Sequence, residues 1–155
     1  MRFTRQTITG RWKSLSLASL GLLVAIQFIR PSTTNPPVQA NQEIATVLRV
    51  DPGIQAILQR SCDDCHSNRT VWPWYSHVAP ASWLVASDVY DGRRRMNFSE
   101  WGTYPPTKSG NLLGKICRKI QDGDMPPLQY LPMHPISRLT QADEQQICRW
   151  AANAK

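Results

Sequence analysis

The sequence predicts an all-α protein, and three observations support this class. Several segments after residue 43 carry apolar residues three or four positions apart, which is the spacing of one helix face. Two of these segments begin with residues typical of a helix cap. No segment alternates apolar and polar residues convincingly over the length of a β-strand.

Four helices can be located from these signals. They are expected over Asp51–Cys62, over Ala81–Arg94, around Leu112–Ile120 with a stop at Gly123, and from Thr140 onward. The first start is marked by Asp51 followed by a first-turn proline, Pro52. The last start is marked by Thr140 and Asp143, which form a capping-box pattern. The aromatic stretch 68–80 is expected to be a loop because proline interrupts it.

The first 31 residues predict an export signal that is retained as a membrane helix. Residues 2–13 are basic and contain no acid, and Leu15–Ile29 contains only three polar residues. Because basic residues keep their end of the segment in the cytoplasm, the rest of the chain is expected in the periplasm, tethered to a bacterial inner membrane. Cleavage after Ala40, which would give a soluble periplasmic protein, stays open, as does a buried core helix.

The remainder divides into a proline-rich linker, 32–43, and a folded domain, 44–155. The whole chain has 18 basic and 11 acidic residues, but from Asn41 onward the counts are 13 and 11. The excess positive charge therefore belongs to the N-terminal segment. A nearly neutral folded region gives no support to nucleic-acid binding.

One short motif carries the chemistry. Cys62, Cys65 and His66 form the pattern C-x-x-C-H, which is the haem attachment sequence of c-type cytochromes. Two thiols about one helical turn apart can add to the vinyl groups of haem, and the next histidine can reach the iron. We therefore predict covalent haem c at Cys62 and Cys65, with His66 as an iron ligand.

Two other sites use C-x-x-C, a thioredoxin-like redox pair and a zinc centre. Neither has its usual context, because no β-α-β pattern surrounds the motif and no second close ligand pair follows it. The remaining cysteines, Cys117 and Cys148, would lie in an oxidising compartment where a disulfide persists. Both a disulfide and buried free thiols stay open for this pair.

A sixth iron ligand is expected after the third helix. Met125 lies in the turn Gly123–Pro127, where two prolines restrict the backbone and would direct the thioether to one place. Thioether ligation raises the reduction potential relative to a second imidazole. The alternatives are His134, Met133, His77, an open position, or a Met125 side chain packed in the core.

The region from Cys62 to Trp150 resembles the bacterial haem-binding domain family, whose members combine one C-x-x-C-H with an aromatic segment and a late Met-Pro turn. The matching stretches are CDDCHSNRTVWPWYSHVAPASW, NFSEWGTYPP, GDMPPLQYLPMHP and ICRW. The resemblance implies haem binding and a cytochrome-c-like helical fold around one haem. It implies no established reaction.

Two residue groups are candidates for contacts to haem. The aromatic group, which could wall the haem or simply form core, is Trp72, Trp74, Tyr75, Trp83 and Trp101. The basic group, which could pair with propionates, dock an acidic redox partner or form a solvated helix end, is Arg93, Arg94 and Arg95. Asp63 and Asp64 are expected to be solvated loop residues.

The leading functional prediction is a membrane-tethered monohaem electron carrier that exchanges electrons with a redox partner protein. The first alternative is a haem sensor or small peroxidase-like enzyme with a displaceable sixth ligand. The second is a non-haem structural module. No paired carboxylates, nucleophile with a base, or glycine-rich phosphate loop can be identified, so no catalytic residue is named.

Overall fold

The computed structural model describes residues 5–154, and over this range it contains helices and no strand. The all-α prediction is confirmed. The α-helices are α1 Arg5–Ile26, α2 Ile44–Val47, α3 Pro52–Ser61, α4 Asp63–His66, α5 Ala81–Arg95, α6 Pro106–Gln121 and α7 Gln141–Asn153. Short 3-10 turns lie at Ala40–Gln42, Trp74–His77, Phe98–Thr103 and Pro135–Ser137.

The helix starts follow the predicted caps. Asp51 accepts hydrogen bonds from the backbone N–H groups of Gly53 and Ile54 at 3.0 and 3.1 Å, which fixes the first turn of α3. Thr140 and Asp143 form the predicted capping box at the start of α7. Helix α6 starts earlier than its apolar residues indicate, since its polar first turn follows a proline at its first position.

The chain divides into two compact units. The smaller contains Met1–Thr33 and Trp72–Ser87, and the larger contains Thr34–Val71 and Asp88–Lys155. Within the smaller unit, the Gln27 side chain exchanges two hydrogen bonds with the backbone of Ala79, at 2.9 and 3.1 Å. Trp83 donates from its indole nitrogen to the Ile29 carbonyl oxygen at 2.7 Å.

The predicted membrane helix is not found, because no helix within residues 5–154 combines the length and apolar character needed to cross a bilayer. Helix α1 ends at Ile26 rather than continuing to Ile29, and Arg11 and Lys13 lie inside it. Its uninterrupted apolar part therefore begins at Leu15 and covers about 18 Å at ~1.5 Å per residue. The large apolar side chains along this part are exposed.

The core of the larger unit is formed by the apolar faces of α3, α6 and α7 with the turn Phe98–Thr103. Its buried members are Ile44, Ile54, Ile57, Leu58, Phe98, Trp101, Leu112, Leu113, Ile116, Ile120, Ile147 and Ala151. Ile147 is fully buried, so α7 inserts its apolar face into this cluster. Removing these surfaces from water is the main favourable contribution to folding of this unit.

Helices α6 and α7 are joined by a disulfide between Cys117 and Cys148, whose Cα atoms are 4.9 Å apart. Of the two possibilities left open by the sequence, the structure therefore has the bridge. Arg60 of α3 adds an ion pair to Asp143 of α7 at 2.6 Å. The three core helices are thus connected by polar and covalent contacts as well as by apolar packing.

Replacing Cys117 and Cys148 together with serine is expected to lower the free energy of unfolding by about 3 kcal/mol, since the bridge restricts the unfolded chain. Chemical denaturation of the oxidised protein and of the variant measures the difference. The same denaturation under reducing conditions should bring the two proteins together. Equal stability of both under oxidising conditions would contradict the bridge.

Candidate functional site

The C-x-x-C-H residues occupy the short helix α4 and the kink before it. Cys62 interrupts the helical backbone between α3 and α4, with φ −132° and ψ −37°. Its carbonyl oxygen accepts hydrogen bonds from the N–H groups of Cys65 and His66, at 3.2 and 2.9 Å. This turn brings the residues together while both cysteines remain free thiols.

His66 is held in one tautomer by helix α5 and the residue after it. Its Nδ1 atom lies 3.1 Å from the Gly92 carbonyl oxygen and 3.0 Å from the Met96 carbonyl oxygen. Since carbonyl oxygens only accept, Nδ1 must carry the proton, and Nε2 keeps its lone pair. Burial lowers the pKa of His66, which favours the neutral ring. A neutral imidazole anchored through Nδ1 is the form that binds a metal through Nε2.

Gly92 is required by the close approach of α5 to the motif. A Cβ atom built at this position would overlap the Cys65 carbonyl group, and its backbone cannot move aside as a flexible side chain can. Glycine therefore lets the Gly92 carbonyl reach His66. Sequence reasoning missed this residue, although a glycine inside a predicted helix is the signal that could have indicated it.

The two thiols are protonated at neutral pH. Burial, with a smaller contribution from Asp63, raises the pKa of Cys62 to about 12. Burial, followed by Asp64 and Asp88, raises the pKa of Cys65 to about 12. Reactive redox cysteines have lowered pKa values, so these shifts do not favour a thioredoxin-like pair. Among residues 5–154 no group of three or more His, Cys, Asp or Glu side chains could hold a metal ion.

Asp64 corrects one prediction, because it is a partly buried helix residue rather than a solvated loop residue. Its carboxylate accepts a hydrogen bond from the Val71 N–H at 2.9 Å and another from the Tyr130 hydroxyl at 2.8 Å. Its backbone carbonyl accepts from the Thr70 hydroxyl at 2.6 Å. Asp63 is partly buried too, and burial, then Asp64 and Glu43, raises its pKa to about 6.

The segment 123–137 carries Met125 and follows α6 through a Schellman turn. Gly123 has φ 73°, and Asp124 donates its N–H to the Lys119 carbonyl oxygen at 3.0 Å. The Met125 N–H donates to the same oxygen at 3.1 Å. The Met125 side chain is 38% exposed, so it is not packed in the core.

The far end of this segment is attached near the motif. Ser137 donates its hydroxyl to the Arg60 carbonyl oxygen, and Tyr130 donates to Asp64. These acceptors lie two residues before and two residues after Cys62. The sequence therefore gave the turn that bears Met125, whereas only the structure shows that its segment is attached on both sides of Cys62.

The aromatic and basic candidates have other contacts. Trp101 is 1% exposed and packs in the core of the larger unit, and its indole N–H has no partner among the described residues. The other aromatic candidates belong to the smaller unit, as does His77. Arg93 donates to the Ser67 carbonyl, to Asn35 and to Thr70 at 2.6–2.7 Å, so it fastens the residues that follow the motif. Arg94 pairs with Asp91 at 2.8 Å.

These donors fit haem. Two free thiols stand one residue pair apart on a single turn, and beside them an imidazole has its Nδ1 proton fixed by backbone carbonyls. Nε2 makes no hydrogen bond to any described residue, so it is available to iron. Together with the helical fold, this arrangement defines a small all-α protein suited to hold haem.

The chain belongs to the haem-binding domain family, whose match covers residues 21–153. It is therefore a haem-binding protein, and a non-haem structural module is contradicted. A search of curated proteins finds no match, and neither does a search of solved structures. The family match covers residues of both compact units.

Proposed function

We propose that this protein is a c-type monohaem cytochrome that carries electrons in the periplasm. In this proposal haem is bound through thioether bonds to Cys62 and Cys65, His66 is the proximal iron ligand and Met125 is the sixth ligand. The observation that carries it is the His66 ring, whose Nδ1 proton is directed at the Gly92 and Met96 carbonyls. The haem would supply one-electron exchange through its iron.

The residues of the chain would bind and orient the group. The Gly92 and Met96 carbonyls would hold the imidazole plane and increase the electron density at Nε2. Phe98, whose ring centroid lies 6.0 Å from that of His66, would limit rotation of the imidazole. Arg93 would fix the Ser67–Thr70 segment that follows the motif. A rigid ligand set suits electron transfer because little has to move when the iron changes charge.

Met125 is the preferred sixth ligand because of its turn and the attachments of its segment. The Schellman turn at Gly123 fixes one end, and the Tyr130 and Ser137 hydrogen bonds fix the other near the motif. His134 lies on the same segment and stacks on Tyr130 with ring centroids 4.0 Å apart. His134 therefore remains the second candidate.

Export is proposed on the basis of the N-terminal segment. Its basic residues precede an apolar stretch, and the leucines of α1 are exposed, as in an export signal or a membrane-bound segment. The protein would be retained at the inner membrane, or released into the periplasm if the segment is removed. Its redox partner would be another protein that exchanges electrons at the haem.

The alternative function is a haem sensor or small peroxidase-like enzyme. It requires that Met125 leave the iron so that a gas or peroxide can bind. The 38% exposure of the Met125 side chain is the observation that favours it. Carbon monoxide separates the two, because an electron carrier with a retained sulfur ligand binds it weakly and a sensor binds it readily.

Replacing Met125 with alanine is expected to strengthen carbon monoxide binding to the reduced protein by on the order of tenfold or more, because the gas no longer displaces a sulfur ligand. Absorption spectra of the haem-loaded protein measure the binding. Met133→Ala is the matched control, since Met133 lies on the same segment and is 55% exposed. An unchanged Met125→Ala spectrum, with or without carbon monoxide, would show that Met125 is not the ligand.

A further inference from the structure

A single side-chain hydrogen bond joins the segment that bears Met125 to the haem-attachment motif. Tyr130 donates its hydroxyl to Asp64 Oδ2 at 2.8 Å, across 66 positions of sequence. Asp64 lies between Cys62 and Cys65, so this bond ends inside the motif. It is the most direct link between the two parts of the proposed site.

Asp64 is a fixed acceptor. Its other carboxylate oxygen accepts the Val71 N–H at 2.9 Å, and its backbone carbonyl accepts the Thr70 hydroxyl at 2.6 Å. Thr70 is itself held by the Arg93 guanidinium at 2.7 Å. Because these contacts hold Asp64 independently of Tyr130, the bond constrains the segment and not the motif.

Tyr130 transmits that constraint toward both candidate ligands. Its N–H donates to the Pro127 carbonyl oxygen at 3.0 Å, which links it to the turn that begins at Met125. Its ring stacks on His134 with an interplanar angle of 8°. Holding the tyrosine ring in place therefore holds the end of the Met125 turn and keeps the His134 ring in a stack.

We propose that Tyr130 is a positioning residue whose hydrogen bond to Asp64 holds the Met125 turn at the iron and His134 away from it. The inference rests on the proposed function, because it assigns a role within the same haem site. Methionine has a long and flexible side chain, so its delivery to one place depends on the backbone that carries it. Without the bond the turn is freer, and the sulfur spends more time off the iron.

The test is an imidazole titration of the ferric, haem-loaded, full-length protein. Added imidazole competes with the sixth ligand, so its apparent affinity rises by the factor by which the ligand is loosened. Tyr130→Phe keeps the aromatic ring but removes the hydroxyl donor. Because a hydrogen bond to a charged group is lost, we expect apparent imidazole binding to tighten by about tenfold.

Two further variants make the result specific. Tyr90→Phe is the matched control, because Tyr90 is 67% exposed, and it should leave imidazole binding unchanged. Met125→Ala should tighten imidazole binding by itself. Adding Tyr130→Phe to Met125→Ala should then have no further effect, since the ligand that Tyr130 positions is gone.

The outcomes distinguish this inference from the function on which it rests. If Met125→Ala tightens imidazole binding and Tyr130→Phe does not, Met125 is the ligand and the positioning role of Tyr130 is overturned. An effect of Tyr130→Phe that persists undiminished in the Met125→Ala background overturns it as well. If Met125→Ala has no effect, the assignment of the sixth ligand fails, and the role of Tyr130 fails with it.

Discussion

Replacing Cys62 and Cys65 together with alanine is expected to abolish covalent haem attachment in the exported protein. No thiol would remain in the motif to form a thioether, although His66 and the fold of α3 and α4 would persist. The measurement is haem-dependent staining of the polypeptide after denaturing electrophoresis. Each single variant keeps one thiol and should retain a reduced amount of covalent haem.

The matched control for this experiment is the other cysteine pair. Cys117 and Cys148 form a disulfide between α6 and α7, so their replacement should leave haem attachment in place. A stained band that survives loss of Cys62 and Cys65 but disappears with the other pair would reverse the assignment of roles.

Gly92→Ala is expected to lower the free energy of unfolding by about 4 kcal/mol and to reduce the amount of haem-loaded protein sharply. The added methyl group would overlap the Cys65 carbonyl, so α5 would have to move away from the motif. That movement would lengthen the hydrogen bond from His66 Nδ1 to the Gly92 carbonyl. Denaturation curves and the haem-to-protein absorbance ratio measure the two effects.

Gly114→Ala is the control for this substitution. Gly114 lies inside α6, and a Cβ atom there would meet nothing within 4 Å. Since alanine is the better helix former, this variant should gain about 0.5–1 kcal/mol of stability. If both glycine variants behave alike, the close approach at Gly92 does not constrain the motif.

The local signals in the sequence were sufficient for the helices. Asp51, Pro52, Thr140 and Asp143 act on their own first turns, so neighbouring residues alone indicate where α3 and α7 begin. The start of α6 was missed because its first turn is polar, and apolar spacing is visible only from Leu112 onward. The helix α4 could not be separated from α3 in advance because its kink is a single residue, Cys62.

The candidate site was predictable in its chemistry but not in its supports. C-x-x-C-H names Cys62, Cys65 and His66 by spacing alone. The contacts that orient them come from distant segments, Gly92 and Met96 for the imidazole and Tyr130 for Asp64. Such contacts depend on how helices pack, and no local pattern encodes them.

The central claim is tested most directly by the intact mass of the unaltered protein after export in cells that carry a haem-attachment system. The account predicts that the denatured chain is heavier than its sequence by the mass of one haem, and that the colour stays with the polypeptide. A denatured chain with the mass of its sequence alone, from which all haem separates, would contradict covalent attachment at Cys62 and Cys65.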